Sequence, residues 1–257
     1  MSRIRSFGLL AVLAALLLAA APAGAIQYGE RDNDAHPYVG GAVFEVDGAR
    51  FVGCSGTLIG PTTFLTAAHC APDDSYRLVG VTFDDAFTPG ESKIERTSKF
   101  VSNPKYDGTA ATDVAVILLR SDPGVSLAKL PKVGLLDTLA PSADAGDQDR
   151  YLTAVGYGTT GLDRGTGGGR PDFVYPDVRM RSENTITGLT PPLVRTTAAP
   201  GTGGGTCYGD SGGPFFVAGT NVVVATTITG SNINCGGSDI NLRIDTAEVQ
   251  RFLSRYL

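Results

Sequence analysis

The octapeptide Cys207-Tyr208-Gly209-Asp210-Ser211-Gly212-Gly213-Pro214 sets a serine among glycines, directly after an acid and four residues after a cysteine. Glycine reaches backbone conformations closed to residues with a Cβ, so neighbouring N–H groups can turn toward one point. Converging backbone donors beside a hydroxyl suit acyl transfer, which needs a nucleophile and a pocket for the oxyanion it creates. A serine hydroxyl is inert at neutral pH, so a base and a group to orient that base must lie elsewhere in the chain. Taken alone, the octapeptide is a turn as readily as a site. It also fits G-x-S-x-G, but the nucleophile-elbow enzymes carry their histidine after the serine. Here His36 and His69, the two histidines of the chain, both precede Ser211. That order excludes the elbow.

His69 closes Leu65-Thr66-Ala67-Ala68-His69-Cys70 behind a strand-like run and is the candidate base. His36 has no partner signature and is expected at the surface. Asp113 heads the apolar run Val114-Ala115-Val116-Ile117-Leu118-Leu119, where a carboxylate enters the interior and can orient an imidazole. Asp107 and Asp122 compete, but Tyr106-Asp107-Gly108 and Asp122-Pro123 are turn contexts in which capping accounts for an aspartate.

These residues need a scaffold, and the chain reads as all-β. Short runs rich in Val, Ile, Phe, Thr and Leu cover 38–46, 51–59, 63–68, 78–83 and 113–119, separated by Gly, Pro, Asp and Asn. Residues 121–150 form a weaker crossing segment. The pattern returns over 150–157, 174–181, 213–218, 221–230 and 240–244, with glycine-rich loops at 161–169 and 201–205. Such spacing predicts a barrel or sandwich, not βαβ units. Asp245-Thr246-Ala247-Glu248 has capping-box spacing before Val249, Phe252, Leu253 and Tyr256, which predicts a closing helix over 245–257 packed on the second half.

Arg3, Arg5, an apolar run over 7–21 and Ala23-Gly24-Ala25 describe a secretory signal peptide, too short an apolar stretch for a spanning helix of about 20 residues. Cleavage after Ala25 leaves 232 residues (257 less 25) and moves the net charge from −5 to −7 by removing two arginines. An acidic exported chain has no electrostatic reason to seek nucleic acid or anionic membrane. Four cysteines in such a chain imply two disulfides, with three connectivities open. Asp73, Asp74, Asp84 and Asp85 offer calcium-type oxygens, but paired loop aspartates are ordinarily solvated; no metal or cofactor is expected. Nothing demands a dimer, and a monomer is expected.

Leu65-Thr66-Ala67-Ala68-His69-Cys70, Asp113-Val114-Ala115, Gly156-Tyr157-Gly158 and Gly209-Asp210-Ser211-Gly212-Gly213-Pro214, in that order, resemble the trypsin/chymotrypsin family of secreted serine proteases. The resemblance covers essentially all of 26–257. It implies two six-stranded antiparallel β-barrels (about 26–135 and 145–244) with a C-terminal helix, and the pairs Cys54–Cys70 and Cys207–Cys235. It further implies Ser211 as nucleophile, His69 as base, Asp113 as its orienting acid, and the N–H groups of Gly209 and Ser211 as oxyanion donors. In the family a freed apolar N-terminus pairs with the aspartate before the serine, here Ile26 with Asp210, so export alone would activate the enzyme. Two features depart from the pattern. The chain has no tryptophan, and Thr227-Ile228-Thr229-Gly230 stands where a Ser-Trp-Gly stretch is usual. In the expected specificity pocket (Gly205, Thr206, Gly230, Asp239), glycine occupies the position at which trypsin has its aspartate. Either Asp239 supplies that charge from the opposite wall and selects Lys or Arg, or it is a solvated loop residue and the pocket is apolar. The expected function is peptide-bond hydrolysis of protein substrates; a secreted binding protein and an esterase on the same scaffold are the alternatives.

Overall fold

The computed structural model describes residues 26–139, 151–160, 162–163, 172–198 and 204–257. The expected signal peptide, nearly all of 161–169 and residues 201–203 lie outside them. In the first half, β1 (Glu30–Arg31) is followed by β2 (Val39–Val46), β3 (Ala49–Gly60), β4 (Thr63–Thr66), β5 (Arg77–Thr82), β6 (Glu95–Ser102) and β7 (Ala115–Leu119). Strands β2 to β7 close into an antiparallel barrel of order β2-β3-β4-β7-β6-β5. Asp47-Gly48 joins β2 to β3 with φ of 49° and 82°, the two-residue Asp-Gly turn whose twist matches a hairpin. Inside, Phe64, Leu65, Val116 and Ile117 are fully buried, each worth about 1.5–3 kcal/mol over exposure.

After α1 (Leu135–Leu139), the second half carries β8 (Tyr151–Gly156), β9 (Leu162–Asp163), β10 (Asp172–Phe173), β11 (Met180–Leu189), β12 (Leu193–Thr197), β13 (Pro214–Val217), β14 (Val223–Gly230) and β15 (Ser238–Arg243). The order β11-β12-β15-β14-β13-β8 closes through β8–β11 pairing, so this too is a six-stranded barrel. β1 extends it at β11, and β9 pairs only with β10. Ile26, Leu152, Met180, Phe215, Val224 and Ala225 belong to its core. The helix α2 (Ala247–Leu253) ends the chain.

Several expectations need correction. Residues 174–179 are not a strand, because Pro176 lacks a donor and Asp177 takes φ 52°; Val178 makes only an isolated bridge to Ala86, and the ladder of β11 begins at Met180. Strand β7 begins at Ala115, so Asp113 sits just before it, closing the 3-10 turn Ala110–Thr112. The cap of α2 is Thr246, whose side chain accepts from Val249 N, one residue later than the box spacing suggested. Asp245 instead bonds Arg243 and the Leu136 N–H. Val249, Phe252 and Leu253 join the cluster formed mainly by the first barrel, and Thr63 Oγ1 donates to the Tyr256 carbonyl. The helix thus packs chiefly on the first barrel.

His36 is not a surface residue. It is buried, its Nδ1 bonds Asp32, and its ring stacks on Phe216 at 5.4 Å. Asp32 also receives Nε of the fully buried Arg179 at 2.9 Å, and Arg179 reaches Asp34 (2.5 Å), the Val39 and Phe83 carbonyls (both 3.0 Å) and Tyr157 Oη (3.2 Å). Burial alone would raise the Asp32 carboxyl, but the bonds from His36 and Arg179 outweigh it and hold the group below its usual range. This network ties the segment before β2 and the first barrel to the second barrel.

Candidate active site

Each barrel contributes a part of one cleft of about 680 Å3, lined by His69, Ser211, Gly209, Thr206 and the 227–233 segment among others. His69 lies in a 3-10 turn (Ala68–Cys70) directly after β4, and the Cys54–Cys70 disulfide staples that turn to β3. Asp113, 3% exposed, gives both oxygens to His69: Oδ2 lies 2.6 Å from Nδ1, and Oδ1 accepts the backbone N–H at 2.9 Å. Two contacts from one carboxylate fix the ring's position and its plane, and Nδ1 facing an anion leaves Nε2 as the free lone pair. Asp107 instead receives Thr109 and Thr112 in its own turn, and Asp122 receives the Gly124 N–H, the capping roles their contexts predicted.

Ser211 lies on the loop between Cys207 and β13, and the second disulfide is Cys207–Cys235. Its Oγ has no hydrogen bond to His69 in this structure, although both residues line the cleft. Such contacts often tighten only when substrate is bound. The loop's backbone is otherwise committed. Asp210 N donates to the Cys207 carbonyl, Gly212 N to Thr227 and Gly213 N to Asp210, at 3.0, 2.8 and 2.7 Å. The N–H groups of Gly209 and Ser211 have no acceptor among the described residues, and Gly209 takes φ 93°. Two unpaired amide donors beside a serine are what a developing oxyanion requires.

Ser55, on β3 and fully buried, was not singled out from the sequence, yet it holds this loop. Its Oγ donates to the Gly209 carbonyl (2.9 Å) and accepts from Tyr157 N (2.9 Å), while its own N–H donates to the Ser211 carbonyl (2.9 Å). The Gly209 amide shares its peptide plane with the Tyr208 carbonyl, which accepts from Thr159 N, and the Ser211 amide with the Asp210 carbonyl, which accepts from Gly213 N; Ser55 fixes the peptides that follow each, so both amides stay turned to the cleft. Gly212, at φ 78°, makes the approach possible, since a Cβ there would stand 2.2 Å from Thr66 Oγ1 and 2.6 Å from Ala67 N.

Asp210 is fully buried. It accepts from Gly158 N at 2.8 Å and Cys207 N at 2.9 Å, and has no cationic partner among the described residues. Burial outweighs those bonds and pushes its carboxyl up to about 7. The motif Gly156-Tyr157-Gly158 follows from this contact, because a Cβ at Gly156 or Gly158 would come within 2.2 or 2.5 Å of the Asp210 side chain. Ile26 is buried in the second barrel's core, and the adjacent Gln27 bridges Gly205.

Thr206 and Gly230 line the cleft, whereas Gly205 backs it against Ala198. Asp239 is no solvated loop residue: it sits on β15, fully buried, opposite Gly230. Its Oδ2 accepts from Thr206 N at 2.8 Å, and its Oδ1 is buried with no hydrogen-bond partner. Burial, with Asp210 nearby, pushes its carboxyl up to about 7.

Two closed barrels with a histidine–carboxylate pair on one and a serine loop on the other define a hydrolytic cleft of the serine-protease class. The comparisons agree. The model of the Trypsin family matches residues 28–252. A trypsin of Saccharopolyspora erythraea is 30% identical over 207 residues, 76% of this chain and 82% of that one. The venom plasminogen activator Haly-PA of Gloydius brevicauda is 30% identical over 65% of this chain and 63% of its own, and a collagenase of Hypoderma lineatum 26% identical over 77% and 74%. The solved structure of HL collagenase superposes with a TM-score of 0.65 at 19% identity, covering 90% of this chain and 98% of that one, which speaks to the fold. The chain belongs to the trypsin family and is a serine endopeptidase.

Proposed function

We propose that the protein is an exported, monomeric endopeptidase that cuts protein substrates through an acyl-enzyme formed on Ser211. Ser211 Oγ attacks the scissile carbonyl while His69 Nε2 takes its proton. Gly209 N and Ser211 N receive the oxyanion. The tetrahedral intermediate collapses as His69 passes the proton to the leaving amine, and water repeats the sequence to free the acid. Asp113 keeps the imidazole in one tautomer and stabilises its cation. The observation that carries the reading is the doubly held His69–Asp113 pair sharing a cleft with Ser211 and two unpaired amides. Ser211→Ala and His69→Ala should each lower kcat by about 10⁴-fold or more. Labelling by a fluorophosphonate that disappears in Ser211→Ala, together with casein cleavage, supports it. No labelling favours a binding protein, and cleavage of activated esters alone favours an esterase.

Signal-peptide removal after Ala25 would free the Ile26 ammonium to pair with Asp210, whose buried carboxylate has no other cation among the described residues. Mass analysis of the secreted, active protein tests this, and an active start elsewhere refutes it. In the pocket, Asp239 lies behind Thr206 and opposite Gly230 with one oxygen unpartnered, so a cationic side chain entering there gains a buried counter-ion. Peptides differing only before the scissile bond should be cut faster with Lys or Arg than with Phe or Leu; the reverse order leaves an apolar pocket.

A further inference from the structure

Beside the cleft, the first barrel gathers four exposed arginines into one surface groove. Arg50, Arg77, Arg96 and Arg120 line a space of about 460 Å3 with Leu78 and Val79 among its walls. Residues 26–139 hold 15 Asp and Glu against 10 Lys and Arg, so this concentration runs against the surrounding charge. Glu45 lies between two of the four, bonding Arg50 Nε at 2.9 Å and Arg77 Nη2 at 2.6 Å. Four cations less this one anion leave the groove at +3. Arg96 and Arg120 have no carboxylate partner among the described residues; Arg120 Nε donates to the Thr97 carbonyl at 3.1 Å. Arg96 lies on β6 and Arg120 just past the end of neighbouring β7, with the Arg120 N–H on the Arg96 carbonyl, and like charges so placed repel. Guanidinium groups match carboxylates in a two-bond fork, which an added anionic chain can satisfy.

The groove borders the active cleft. Phe51 and Tyr76 line the cleft, and the residues adjoining them in the chain, Arg50 and Arg77, line the groove. Phe44 contacts both rings, at 6.2 and 5.1 Å between centroids, so a single aromatic cluster separates the two. Passing from β3 through β2, β5 and β6 to Arg120 after β7 takes four interstrand steps of about 4.8 Å, about 19 Å in all. That is the length of about six residues of extended peptide.

We propose that this groove is a second binding site that takes an acidic stretch of a protein substrate while the scissile bond lies in the cleft. The proposal rests on the endopeptidase reading. It makes substrate choice depend on carboxylates outside the cleft as well as on the residue before the cut bond.

Two measurements test it. First, kcat/KM is compared for a short peptide substrate with and without six consecutive Asp or Glu residues, appended to one end and then the other. A tail at one end should raise kcat/KM about tenfold at low salt, an advantage screened as the Debye length falls below about 10 Å above 0.1 M. Arg96→Ala with Arg120→Ala should abolish most of the gain and leave the untailed peptide unchanged. Second, the full chain carrying Ser211→Ala should bind a fluorescein-labelled acidic hexapeptide, seen by anisotropy, and lose it with the same two substitutions. Peptide binding together with no cleavage of any substrate by the chain that keeps Ser211 would refute the catalytic reading and keep the surface. Cleavage with neither a tail effect nor peptide binding overturns the proposal. So does binding of a sulfated polysaccharide with no response to the acidic peptide.

Discussion

Replacing Asp239 by asparagine should stabilise the protein increasingly as pH rises from about 4 to about 7. The side chain keeps its shape, and the amide oxygen can still accept the Thr206 N–H that Oδ2 now accepts at 2.8 Å. What changes is the cost of ionisation in a fully buried position with one oxygen unpartnered. The folded-state carboxyl lies near 7 and the unfolded one near 3.8. Since the folded value is raised, the favourable contribution of the protonated group is complete below about 3.8 and is lost as pH climbs through about 7. Integrated across that window, the loss is about 4 kcal/mol. For a chain of this size it corresponds to about 10 °C in Tm. Asp210 titrates in both proteins, so its own part largely cancels in the difference. The assay is thermal unfolding of Ser211→Ala and Ser211→Ala/Asp239→Asn from pH 4 to pH 8, the first substitution removing self-digestion. The Tm gap should widen steadily from pH 4 to about pH 7 and then level. A gap that stays constant across the range would mean that Asp239 is solvated or already paired, and would refute the burial argument together with the pocket assignment built on it.

Other perturbations probe the seam between the barrels. Ser55→Ala removes the donor to the Gly209 carbonyl and should lower kcat per titrated active site about tenfold with little change in KM, while Ser55→Thr restores part of the rate; a deficit that disappears once the rate is divided by the fraction of folded sites would show a loss of folding instead. Gly212→Ala combines a left-handed φ of 78° with a Cβ 2.2 Å from Thr66 Oγ1, and should abolish activity and lower Tm by more than any Ser211 substitution. Replacing Cys54 and Cys70 together by serine opens a 16-residue loop and should cost about 3 kcal/mol in denaturant unfolding, with activity falling further than stability because the bridge also positions the His69 turn.

The residues proposed to do the chemistry were legible because few side chains can do it and their order along the chain excludes other arrangements. His69 was one of two histidines, and Asp113 headed the most apolar strand of the first half. What escaped was set by contacts between distant segments. Glu95-Arg96-Thr97-Ser98-Lys99 shows no apolar alternation, because much of β6 faces solvent and its pairing partners β5 and β7 supply the reason for a strand. Val174-Tyr175 looked like a strand start on propensity, and Pro176 with the left-handed Asp177 overrode it. His36 looked idle because its network includes Arg179, 143 positions away (179 less 36).

Ser55 is the sharper case. A serine inside Gly53-Cys54-Ser55-Gly56 carries no signal of its own, and its two loop contacts, with the carbonyls of Gly209 and Ser211, exist only after the second barrel docks. The same docking explains the glycines. Gly156, Gly158 and Gly212 stand where the Asp210 side chain or Thr66 Oγ1 lies within 2.2 to 2.5 Å of a would-be Cβ. The motif around Ser211 is therefore as much a description of the surface it packs against as of the reaction. A nucleophile on one barrel can meet a base on the other only if the seam between them is nearly free of side-chain bulk, and Ser55 fills the remaining space with a hydroxyl that turns close contact into fixed geometry.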